Sequence, residues 1–135
     1  MTDNINSIYM KITHVLLEIG MKTSFKGFFY VREAVAILTE TFGVGKNMEE
    51  IDIKEIIPKA LYIDIGHRFS VSCENVEKSI RVAINDLWKT TVPGQTKQIN
   101  GHPHKVPEKR YTNTQIIFLV YCHTFCNFSY TLIEE

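Results

Sequence analysis

The stretch Ser70-Val71-Ser72-Cys73-Glu74-Asn75-Val76-Glu77-Lys78-Ser79-Ile80-Arg81-Val82-Ala83-Ile84-Asn85-Asp86-Leu87-Trp88-Lys89 decides the fold. Val76, Ile80, Ala83, Ile84 and Leu87 recur at helical spacing, so they share one apolar stripe of an α-helix over roughly residues 73–89. Ser72 stands at the N-cap position, where a side-chain oxygen can accept from a free backbone N–H of the first turn. Ser70-Val71-Ser72 is then a short turn. Ahead of it, Leu61, Ile65 and Phe69 line one face of a preceding helical segment. Two helices joined by a short turn, the second strongly amphipathic, have the outline of a helix-turn-helix.

The face opposite the apolar stripe presents Glu74, Lys78, Arg81 and Asn85, with Asn75 and Glu77 on its flanks. Arg, Lys and Asn are the donors that read guanine and adenine edges in a major groove, and a carboxylate accepts from cytosine. Any solvated helix also shows polar residues there. Glu74–Lys78 and Glu77–Arg81 are i,i+4 pairs in the favourable order, worth ~0.2–0.5 kcal/mol each as local support. From periodicity alone, the solvated face is the stronger reading.

Outward from this stretch the pattern stays helical. Ile5, Ile8, Ile12, Val15, Leu16 and Ile19 form an amphipathic helix that Gly20 stops. A second helix over Lys26 to Thr41 carries Phe28, Val31, Val35 and Leu38 on one stripe, and Gly43 to Asn47 breaks it as a loop. Asp52 with Glu55 resembles a capping box opening a third helical region, and Pro58 marks a kink or the first turn of a new segment. Residues 90–110 hold Pro93, Gly94, Gly101, Pro103 and Pro107 and read as irregular. A last helix begins near Thr112 and covers Gln115 to Phe125. The sum is an all-α, compact bundle of about six helices in a single domain spanning 1–135.

Several segments, in order and with compatible spacing, resemble the C-terminal effector domain of the master sporulation response regulator of endospore-forming bacteria. They are Ile12-Thr13-His14-Val15-Leu16-Leu17-Glu18-Ile19-Gly20, Lys26-Gly27-Phe28-Phe29-Tyr30-Val31-Arg32-Glu33-Ala34, Leu61-Tyr62-Ile63-Asp64-Ile65-Gly66-His67-Arg68-Phe69, and Val76 to Arg81 with Ala83, Ile84 and Trp88. The resemblance runs over about residues 10–89 and returns weakly at Thr112-Asn113. It implies a six-helix domain that binds short boxes like TGTCGAA, often as tandem dimers, to activate or repress transcription. Glu77, Lys78 and Arg81 fall on its recognition-helix positions. Lys78 stands where the family has Arg, which replaces a planar fork suited to guanine by a point charge suited to phosphate. Glu74 replaces a small polar residue and Val82 a histidine. Residues 90–110 differ from the segment implicated in polymerase contact. The family carries a receiver domain ahead of this module, whereas Met1 lies a few residues before the first helix; a stand-alone homologue without a phosphorylation switch is expected.

Composition narrows the alternatives. Fifteen Lys and Arg balance fifteen Asp and Glu, so any electropositive patch must come from folding selected side chains onto one face. Five basic residues and one acid lie between Lys89 and Arg110, which makes that connector a candidate for contacts to the DNA backbone. The three cysteines are odd in number and irregularly placed, and no leader pattern opens the chain, so a cytoplasmic location is expected. Gly43-Val44-Gly45-Lys46 lacks phosphate-loop spacing; His102-Pro103-His104 and Cys122-His123 with Cys126 lack the paired groups of a zinc site; and no nucleophile–base pair stands out. No enzyme activity, metal or cofactor is therefore expected.

From Tyr111 to Ile133 there is no charged side chain. A span would need ~20 predominantly apolar residues, and polar groups interrupt this run, so no membrane insertion is expected. A peripheral helix normally keeps a charged face, which predicts that a second copy covers part of Ile116–Phe128. The partners expected are double-stranded DNA, a homodimer mate, and RNA polymerase or a full-length regulator. The alternative class is a protein-interaction module that kept the effector fold but lost specific DNA binding.

Overall fold

A computed structural model describes residues 5–42 and 58–125. The elements run α1 (Ile5–Ile19), α2 (Lys26–Phe42), α3 (Pro58–Phe69), α4 (Cys73–Trp88), β1 (Thr96–Ile99), β2 (His102–Lys105) and α5 (Asn113–Phe125). The expected loop at 43–47 and the helical region opened by Asp52 and Glu55 lie outside the described residues.

Helix α2 is the hub and packs against each of the other four helices. Its residues from Ala34 to Thr39 are all buried, because a helix with neighbours on every side has no use for a polar face. One buried charge ties three helices. Glu33, 7% exposed, accepts from Arg68 of α3 at 2.5 Å and from the Tyr9 hydroxyl of α1 at 2.7 Å. Burial, and then the neighbouring Glu33 carboxylate, push the Tyr9 hydroxyl up to about 12. Pairing is what makes a carboxylate tolerable there.

Two expectations are corrected. Residues 90–110 are not irregular throughout: β1 and β2 form an antiparallel hairpin in which Ile99 faces His102 across Asn100 and Gly101. Both loop residues have positive φ, 51° and 79°, the pair that a two-residue type I′ turn requires. The domain is therefore mainly helical rather than all-α, with five helices and one hairpin among the described residues.

The second correction concerns α5. Every residue from Ile116 to Cys122 is at most 1% exposed within the single chain. Helices α1, α2 and α4 contact it, and the hairpin closes it through His123 Nδ1, which donates to the Ile99 carbonyl at 3.2 Å. Phe118 and Tyr121, within the stretch where a covering second copy is expected, are fully buried. The absence of charge on α5 thus reflects an interior position and not a face covered by a second copy. Residues 126–128 of that expected surface lie outside the described residues.

Candidate nucleic-acid interface

Helix α4 forms as its residues dictate. Ser72 adopts an extended backbone, and its hydroxyl accepts from the Asn75 amide at 3.2 Å, which satisfies one free donor of the first turn. Val76, Ile80, Ala83, Ile84 and Leu87 are all buried. The connection from α3 is three residues long. It closes through Val71 N–H donating to the Gly66 carbonyl at 2.9 Å, with Ser70 at φ 58°. A β-carbon on Gly66 would stand 2.5 Å from the Val71 carbonyl oxygen, so only glycine lets the chain fold back this tightly.

The five residues singled out from sequence, Glu74, Glu77, Lys78, Arg81 and Asn85, are all exposed. They do not form a single row. Glu74, Glu77 and Arg81 line an open groove of about 760 Å³ that runs from α4 to Tyr62 of α3, to Arg110 ahead of α5 and to Asn113 at its start. Lys78 instead opens onto the opposite flank, beside Lys26 at the start of α2, Asn75 and Val82. Arg81 Nη1 donates to Glu77 Oε1 at 3.2 Å, an exposed pair within the helix. Backbone hydrogen bonding in the first turn, and then the Cys73 side chain, hold the Glu74 carboxyl below its ordinary range. That carboxylate complements the helix N-terminus.

Two contributors were named from sequence without their place on α4. Arg110 reaches the outer face of α4 and donates through Nη1 to Asn85 Oδ1. Val82, 43% exposed, places an apolar surface among the polar groups. Neither shows in the periodicity of one helix, because Arg110 arrives from a distant segment and Val82 resembles a stray stripe residue. Lys97, one of the five basic residues of the connector expected at the DNA backbone, is half-buried and donates to the Ile19 carbonyl at 3.1 Å. No group of His, Cys, Asp or Glu among the described residues is placed to hold a metal ion.

These features define a small, mainly helical domain in which one long helix is anchored by its apolar stripe and otherwise faces outward. Residues 12–123 match the family described as Sporulation initiation factor Spo0A C terminal, and the chain belongs to that family. The match runs beyond residue 89, through the hairpin and nearly all of α5. The family is one of non-enzymatic DNA-binding effector domains. No described helix is long and apolar enough to cross a membrane.

Proposed function

We propose that this chain is a sequence-specific DNA-binding regulator of transcription. In this reading α3, the turn at 70–72 and α4 act as a helix-turn-helix, and α4 enters the major groove of TGTCGAA-like boxes. The observation that carries it is the exposure of Glu77, Lys78, Arg81 and Asn85 on a helix whose opposite side is wholly buried, in a chain of this family. Arg81 is the first candidate for a base contact, because a guanidinium can donate two parallel bonds to guanine O6 and N7. Lys78, on the other flank beside Lys26, suits phosphate. Glu74 serves the helix end more than the groove. The whole chain, 1–135, acts as one intracellular effector domain, pairing on DNA and contacting RNA polymerase or a full-length regulator.

The test is a fluorescence-anisotropy titration of box-containing and scrambled duplexes at two salt concentrations. A specific binder prefers its site by ~10³-fold or more over non-specific DNA. Equal, weak affinity for both duplexes overturns the proposal in favour of an interaction module that kept the fold.

A further inference from the structure

We infer that Arg110 and Asn85 form one reading unit, in which Arg110 decides which base Asn85 selects. This rests on α4 being the DNA-reading helix. The segment that delivers Arg110 is fastened along the edge of α4. Tyr111, 4% exposed, sets its ring edge-on to Trp88 at 5.6 Å, and its hydroxyl is hydrogen-bonded to His104 Nε2 at 2.9 Å. Asn113 Nδ2 donates to the Glu77 carbonyl at 3.1 Å. Between these anchors and the hairpin, the exposed Arg110 side chain crosses to the outer end of α4 and donates to Asn85 Oδ1.

The chemistry of that bond is directional. A guanidinium has only donors, so the Asn85 amide must turn its oxygen toward Arg110 and its Nδ2 donors away. An unconstrained Asn reads adenine by donating to N7 while accepting from the N6 amino group. Here the accepting oxygen is engaged and a cation stands beside it, so an adenine N6 group would meet donor against donor. Guanine presents acceptors at both N7 and O6, which matches the Nδ2 donors of Asn85 and the remaining N–H groups of Arg110. The pair therefore favours guanine at the base it meets, and an Asn85 freed from Arg110 favours adenine.

The experiment is a competition anisotropy series in which each box position carries each of the four base pairs. It compares the parent, Arg110→Ala, Asn85→Ala and the double variant of the full chain. The inference expects Arg110→Ala to move the preference at one position from G·C to A·T by roughly tenfold. The same exchange should be absent when Asn85 is already Ala. An Arg110→Ala chain that loses affinity evenly for all duplexes, with a shallower salt dependence, shows a phosphate contact and overturns the inference. So does an unaltered base profile. A parent with no preference among any of the duplexes overturns the DNA-reading proposal itself, which separates the two failures.

Discussion

Gly27 of α2 and Ser79 of α4 meet backbone to backbone: a β-carbon on Gly27 would lie 2.3 Å from the Ser79 carbonyl oxygen and 2.9 Å from Ile80 Cα. Neither neighbour is a flexible side-chain end that could swing aside. The helix bearing the candidate interface is therefore seated on the central helix through a position that admits no side chain. Gly27→Ala must push α4 outward, a form of overpacking that costs ~1–3 kcal/mol or more. Gly101 offers the contrast, since at φ 79° a β-carbon there meets nothing within 4 Å. Gly101→Ala adds only left-handed backbone strain, ~1–2 kcal/mol. Thermal melts of both variants check this, with Gly27→Ala expected to lose more stability and to weaken DNA binding as α4 shifts. Equal melting temperatures for parent and Gly27→Ala would contradict it.

The helices were legible because their signals are local. The stripe through Val76, Ile80 and Leu87 and the Ser72 cap lie within one segment, and both form as read. The hairpin was also signalled, by Asn100-Gly101 between Ile99 and His102, but proline and glycine on either side masked it. What sequence could not convey is what surrounds α5. A run with no charge fits a partner-covered face and an internal helix equally well, and only the packing of α1, α2, α4 and the hairpin decides for the interior. Arg110 was readable only as part of the basic connector, and its contact with α4 was not, for the same reason. It lies 25 positions from Asn85, and no periodicity links them.

Arg81 and Lys97 now carry different expectations. Arg81→Ala should cost roughly 1–3 kcal/mol of binding to the preferred box and relax preference at one base position. Glu77→Gln should strengthen binding modestly, by freeing the guanidinium and removing a negative charge from the groove. Lys97→Ala, by contrast, should leave the salt dependence of binding unchanged, because its ammonium is already committed to the Ile19 carbonyl. Its effect belongs to stability, where a lost hydrogen bond from a charged donor is worth ~1.5–3 kcal/mol. Salt-dependent titrations together with denaturant melts separate the two behaviours. A shallower salt slope for Lys97→Ala would return it to the DNA contact set.

Phe118→Glu tests the interior position of α5. Phe118 is fully buried in a single chain, so a carboxylate there is cut off from water. The variant should lose cooperative folding, seen as a collapsed thermal transition in circular dichroism. A well-folded monomer with the parent's melting temperature would show that this face is open after all.

The hairpin's attachment to α5 should weaken in acid. His104 and His123 are buried, 1% and 2% exposed, with their rings 5.8 Å apart, and His102 lies 6.1 Å from His123. His123 spends its one N–H on the Ile99 carbonyl, so its Nε2 is a bare lone pair, and neither that atom nor His104 Nδ1 has a hydrogen-bond partner among the described residues. Burial, then His123 and Lys97, push the His104 imidazole down to about 4 from an ordinary 6.5. Burial likewise lowers His123, opposed by its bond to Ile99 and by the Glu18 carboxylate. Both groups bind a proton more readily in the unfolded chain than in the folded one. Stability is therefore complete above about pH 6.5, where neither state is protonated, and falls as the pH drops toward 4 because the unfolded state gains protons first. The His104 contribution amounts to roughly 3 kcal/mol across that window. Carboxylates also begin to titrate near its lower end, so the diagnostic quantity is the slope between pH 6.5 and 5 in parent and His104→Phe. Phe cannot titrate, and although it forfeits the Tyr111 hydrogen bond at every pH, it should flatten that slope. Equal slopes in the two proteins would show that the imidazole is not the group that makes the fold acid-sensitive.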